Sequence, residues 1–193
     1  MKVNQLLRPV YAGLVIGGTL LTGCSKPGPL DVGTSTDTSA SRLTALHTAA
    51  QCLRSHGVPN FADPVLGANG QVFTDARPLQ DAPRGVLGGA MDGCKEQLRA
   101  ASWNPETQAP APASLIAAGV RSATCLRKNG LPNMKDPTAS TTYTPGHGFG
   151  FSADEFPPGA DKLNPTVQHA FQACRDVLDA EIAASALDKL SGQ

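Results

Sequence analysis

Apolar residues recur at helical spacing in four stretches of the chain. Leu43, Leu46, Ala50 and Leu53 follow the 3, 4, 3 rhythm of one helical face, with Ser41 placed as an N-cap. Ile116, Val120, Ala123 and Leu126 form a second stripe, and Leu87, Met91, Cys94 and Leu98 a third. Val167, Phe171, Cys174 and Leu178 form the fourth, preceded by Asn164-Pro165 as N-cap and first helical residue. Gly57 and Gly130 stop the first two helices, because glycine accepts the left-handed C′ conformation and Pro59 or Pro132 cannot continue the ladder. Gly85, Gly88, Gly89 and Gly93 weaken the third by up to about 1 kcal/mol each relative to alanine. Between the stripes lie two hairpin signals. VLGANGQVF (65–73) centres on Asn69-Gly70, a type I′ pair, while TTYTPGHGFGF (141–151) turns at Pro145-Gly146 and alternates Phe149 and Phe151 onto one face.

The order helix, hairpin, helix thus occurs twice, and the residues repeat with it. CLRSHGVPNFADP (52–64) and CLRKNGLPNMKDP (125–137) are identical at 8 of 13 positions without a gap. AMDGCKEQL (90–98) aligns with AFQACRDVL (170–178), so the offset grows from 73 to 80 between the two ends of the repeat. The predicted fold is small and α+β, with unit 1 at 41–104 and unit 2 at 114–193. The linker PETQAPAPA (105–113) is held semi-extended by its three prolines.

Composition sharpens this picture. With 193 residues, 5% aromatics, 20 Gly and 16 Pro, the chain has short elements and a modest core. Sixteen Lys+Arg against 16 Asp+Glu remove the electrostatic case for nucleic acid. Lys2 and Arg8 precede an uncharged run from Val10 to Leu21, too short for a bilayer core of about 30 Å but of signal-peptide length. The next residues, Leu21-Thr22-Gly23-Cys24, resemble the lipobox of bacterial lipoproteins. That resemblance implies cleavage of residues 1–23, lipidation of the Cys24 thiol and anchoring at the extracytoplasmic face of the membrane. Residues 24–40, rich in Ser, Thr, Pro and Gly, read as a flexible tether. Cleavage leaves 14 basic and 16 acidic residues, so no polybasic patch supplements the lipid.

Lipidation of Cys24 leaves Cys52, Cys94, Cys125 and Cys174, an even number in an exported chain, with three possible pairings. No Cys-x-x-Cys or His-x-x-x-His spacing supports zinc. The recurrent unit suggests recurrent pairing, Cys52 with Cys94 and Cys125 with Cys174. Each would close a loop worth about 4 kcal/mol on the chain-entropy account, which a small unit poor in aromatics needs.

The segment Cys-Leu-Arg-x-x-Gly-x-Pro-Asn-x-x-Asp-Pro, with a Gly-rich turn and a second Cys on a closing helix, resembles small exported proteins common in actinobacteria. The resemblance covers most of residues 41–178, in two copies. It implies location and architecture, and brings no catalytic residue and no cofactor.

The polar residues kept by the repeat are Arg54, Asn60 and Asp63 in one copy and Arg127, Asn133 and Asp136 in the other. They read either as a clamp for a carboxylate or phosphate ligand or, as favoured here, as a scaffold. In the scaffold reading Arg at the helix end pairs with Asp, and Asn bonds its own turn. His56 has Asn129 as its counterpart and reads as a residue of the last helical turn. His147 and His169 have no nucleophile at a motif spacing, and Asp154, Glu155 and Asp161 lack the alternating ligands of a calcium loop. Tyr143, Phe149, Phe151 and Phe156 gather four of the nine aromatics, as core or as an exposed binding patch. Two functions remain: a non-catalytic envelope module that binds a protein partner or small ligand, and, as the alternative, an extracytoplasmic hydrolase with a dispersed site.

Overall fold

Gly57 and Gly130 adopt φ of +99° and +107°, as the helix-stop reading requires. After each, an apolar residue returns its N–H to a carbonyl inside the helix: Val58 N to Leu53 O at 3.2 Å, Leu131 N to Leu126 O at 3.1 Å. This is the Schellman closure, with both apolar partners buried. The computed structural model describes residues 34–160 and 163–191, and the expected signal peptide, Cys24 and most of the expected tether lie outside them. Helix α1 (Thr34–Ser55) is followed by an antiparallel hairpin of β1 (Val65–Leu66) and β2 (Val72–Phe73), then α2 (Arg77–Gln80), α3 (Arg84–Gly93) and α4 (Lys95–Ala100). The chain continues with α5 (Ala113–Lys128) and a second antiparallel hairpin, β3 (Tyr143–Thr144) with β4 (Gly148–Phe149). A 3-10 turn (Ala153–Glu155), α6 (Pro165–Ala173), α7 (Arg175–Ala184) and α8 (Leu187–Leu190) complete it. The fold is therefore small, α+β and mostly helical. Disulfides join Cys52 to Cys94 and Cys125 to Cys174, with Cα atoms 5.7 and 5.8 Å apart.

Several expectations about local structure are corrected. Helix α1 starts at Thr34, inside the stretch read as tether, and Ser41 is an interior residue. Between Thr34 and Ser41 no Gly or Pro interrupts the ladder, and further along Thr44 and Thr48 return their hydroxyls to carbonyls one turn back. Each closing stripe is two helices broken at its disulfide cysteine, Cys94 (φ −102°, ψ 9°) and Cys174 (φ −105°, ψ 11°). The first hairpin does not use a type I′ turn, since Asn69 is not among the residues with positive φ. Gly67 N bonds Gln71 O, Gly70 N bonds Gly67 O, and Gly70 alone is left-handed at φ +74°. That is the three-residue loop with a glycine bulge. Asn164 caps α6 as expected, its Oδ1 accepting from Thr166 N and Val167 N at 3.0 and 3.3 Å.

Three apolar clusters hold these elements. Leu46, Leu53, Phe61 and Leu98 centre the first, Leu126, Leu131, Met134 and Val167 the second. The third gathers Phe73 of β2, Ala111 of the 105–113 stretch, Leu115 of α5, Tyr143 and Phe149 of the second hairpin, and Leu190 of α8. Helix α8, the last described helix, lies against β1 of the first hairpin. The 105–113 stretch is pinned rather than free: Ala111 N donates to Ala139 O at 2.9 Å, and the Gln108 amide donates to Tyr143 O.

Candidate functional site

The polar residues of the repeat take up matching positions. Arg54 reaches back from the last turn of α1, Nη1 donating to Phe61 O at 3.0 Å and to Asp63 Oδ1 at 2.7 Å. Arg127 does the same from α5, to Met134 O and Asp136 Oδ1, both at 2.8 Å. Each arginine thus ties down the chain that reverses past Gly57-Pro59 or Gly130-Pro132. Asn60 and Asn133 are exposed and their side chains make no hydrogen bond among the described residues, unlike the turn bonding expected of them.

His56 and Asn129 are equivalent in contact as well as in position. His56 Nδ1 lies 2.9 Å from Cys52 O, and Asn129 Nδ2 donates to Cys125 O at 2.9 Å. Each lies 3.5 Å from both sulfurs of its disulfide. Ser55 Oγ, 3.2 Å from His56 Nδ1, donates to the same Cys52 carbonyl, so this Ser-His contact caps a helix end. Cys52, His56 and Cys94 present ligand atoms within 4.8 Å of one another, yet the disulfide leaves neither cysteine a thiolate to offer a metal. His147 accepts from the Arg77 guanidinium, which also holds Asp75 at 2.5 Å. Burial acts to raise the Asp75 carboxyl, but hydrogen bonds from the Arg77 side chain and backbone prevail and hold it below 3.8. Asp154 pairs with Lys135 at 2.6 Å, which lowers its carboxyl, and Asp161 lies outside the described residues.

The aromatic candidates divide. Tyr143 and Phe149 are core residues, at 4% and 8% exposure, in edge-to-face contact at 6.0 Å; burial pushes the Tyr143 hydroxyl up to about 12. Phe156 is half-buried, and Phe151, 41% exposed, packs on Phe156 and Phe171 at 5.9 and 5.5 Å. Strand β4 ends at Phe149, which is why the expected alternation puts Phe151 in a different cluster.

Phe149 and Phe151 border a cleft of about 240 Å³ between α5, the segment 134–137, the chain after β4, and α7. Its floor owes its shape to Gly119. A Cβ there would stand 2.6 Å from Pro137 Cγ and 2.7 Å from Phe149 Cδ2, so only glycine lets the hairpin approach α5 this closely. Ser122 on the same helix face donates to Val177 O at 3.2 Å. Two buried acids complete the lining. Glu155 accepts from Lys135 N at 2.9 Å with Oε1 and from Ser152 N at 2.6 Å with Oε2, closing the capping box of the 3-10 turn. Glu181 of α7 accepts from Phe149 N at 2.8 Å with Oε1, while Ser185 Oγ, one turn on, accepts from Gly148 N at 2.9 Å.

Reading apolar stripes passed over Gly119, Ser122 and Glu181, none of which is apolar and large. The repeat offset was the signal available. At 73 positions, Leu46 corresponds to Gly119 and Ala49 to Ser122; at 80 positions, Ala101 corresponds to Glu181. All three first-copy residues are buried and apolar. Comparison with protein-family models, with curated proteins and with solved structures gave no match.

Proposed function

We propose that the protein is an exported lipoprotein, anchored through Cys24 at the extracytoplasmic face of the membrane, that works as a non-catalytic binding module. In this reading residues 41–104 and 114–193 are two tandem copies of one disulfide-stapled helix, hairpin, helix unit. The first copy is scaffold, and the second carries the binding cleft. The carrying observation is that cleft, lined by Ser122, Met134, Phe151, Glu155 and Glu181. Its buried acids support binding over catalysis, because Glu155 is fully engaged with backbone N–H groups and Glu181 half engaged. No described helix is long and apolar enough to cross a membrane, so anchoring rests on the Leu21-Thr22-Gly23-Cys24 box alone. Substituting Cys24→Ala tests it: the protein should move from the membrane fraction to the medium, or accumulate as a heavier precursor. Unchanged fractionation and mass would remove the lipoprotein reading.

A further inference from the structure

Glu181 is 5% exposed, and of its two oxygens Oε1 accepts from Phe149 N while Oε2, which makes no hydrogen bond with any described residue, keeps the side chain's remaining contact with solvent. Burying a carboxylate is unfavourable unless its charge and lone pairs are matched. The acid is not a feature of the repeat at this place. The corresponding residue of the first copy is Ala101, buried at 1% exposure. Nor does a neighbouring cation neutralise it. Arg127 is held by Asp136, Lys135 Nζ by Asp154, and Arg175 Nε, in the adjoining groove, stands 3.8 Å from Asp179. The same copy that gains this acid also gains a hydroxyl in the cleft lining, through Ser122 for Ala49.

We infer that the cleft binds a primary ammonium group carried on a short alkyl stem. The inference rests on the binding-module reading and names its ligand class. The ammonium donates to Glu181 Oε2 and to the free lone pair of Ser122 Oγ, whose hydrogen is committed to Val177 O. Met134 and Phe149 wall the stem, and Phe151 presents an aromatic ring to the cation. Glu155 and Glu181, which accept from backbone N–H groups and have no cationic partner, disfavour anions. The volume of about 240 Å³ falls below the range of about 300–1,000 Å³ typical for drug-sized ligands, so the ligand is small or is one side chain of something larger. A free alkylamine and the lysine side chain of a polypeptide share this chemistry.

Titrating the full-length, 15N-labelled protein with butylammonium, butanol and butyrate tests the inference through the amide resonances of Gly148 and Phe149. Butylammonium should shift these resonances and saturate, while butanol and butyrate at equal concentration should not. Glu181→Gln keeps a carbonyl oxygen for Phe149 N and should weaken butylammonium binding about tenfold or more. Asp92→Asn, which removes an exposed acid on α3, should leave it unchanged. Ser122→Ala, expected to weaken binding a few-fold, serves if the Glu181 variant loses its native amide dispersion. Tighter binding of Nα-acetyl-lysine methylamide than of butylammonium assigns the ligand to a polypeptide, and weaker binding to a free amine. The inference is overturned if butanol binds equally well, if butylammonium binding survives both substitutions, or if none of the three probes shifts these amides. Saturable binding of butanol or butyrate alone would overturn it while leaving the binding module standing.

Discussion

Replacing glycine by alanine inside a helix should have opposite signs at two places in this protein. Gly89 lies within α3, exposed, and a Cβ built there meets nothing within 4 Å. Alanine there removes backbone freedom from the unfolded chain and should stabilise by up to about 1 kcal/mol. Gly119 lies within α5, where the same methyl would stand 2.6 Å from Pro137 Cγ and 2.7 and 2.8 Å from the Phe149 ring. Contacts that short require movement. The Pro137 ring is fixed to the backbone, and Phe149 is buried against Tyr143, so neither yields by a simple rotation. Overpacking of this kind costs about 1–3 kcal/mol. Offset by the same propensity gain of up to about 1 kcal/mol, Gly119→Ala should still not stabilise, and should destabilise by up to about 2–3 kcal/mol. Urea unfolding of the oxidised protein, followed by circular dichroism, separates the two through their midpoints at constant m-value. For a domain of this size each kcal/mol corresponds to about 2–4 °C in Tm. If Gly119→Ala stabilises as much as Gly89→Ala does, the close approach of the hairpin to α5 is wrong, and with it the floor of the cleft.

In a double-mutant cycle, Arg54→Ala and Asp63→Ala should couple by about 0.2–1 kcal/mol, as expected for a half-exposed pair; Arg54→Ala should cost more alone, because Phe61 O also loses its donor, and zero coupling would return both residues to the candidates for ligand contact. Asp75 is held below 3.8 by Arg77, so its contribution is present above the unfolded carboxylate value and lost as pH falls through the lower folded value. Asp75→Asn should therefore lower stability near neutrality and flatten the acid limb below about pH 4, whereas an unchanged limb would remove Asp75 from that role. Replacing Cys125 and Cys174 together by serine should destabilise by about 4 kcal/mol on the chain-entropy account, read in denaturant; non-reducing peptide mapping that recovered Cys52 linked to Cys125 would contradict the pairing. Ser102 holds a left-handed φ of 48°; Ser102→Gly relieves about 1–2 kcal/mol of strain but adds up to about 1 kcal/mol of freedom to the unfolded chain, so Tm should hold or rise slightly, and a clearly lower Tm would refute it.

What the sequence determined by itself is local or repeated. Periodicity located the four helical stripes, Gly57 and Gly130 marked the helix ends, Asn164-Pro165 marked a helix start, and two turns marked the hairpins. These features depend on residues within a few positions of one another, where steric and hydrogen-bonding rules act directly. The repeat added the two disulfide pairs and the Arg54–Asp63 and Arg127–Asp136 contacts, because a motif met twice constrains its partners twice. The start of α1 and the turn type at Gly70 escaped because local preferences there differ by less than packing and register can override. The cleft was hidden for another reason. Gly119, Ser122, Glu155 and Glu181 belong to three separate segments, and none carries a periodic signal. Tertiary packing alone brings β4 onto α5 at a glycine, fills with Pro137 and Phe149 the place that Leu46 takes in the first copy, and turns Glu181 inward beside it. The third core cluster, with Phe73, Leu115, Phe149 and Leu190 drawn from distant parts of the chain, is likewise decided only when the apolar surfaces left over by each element find one another.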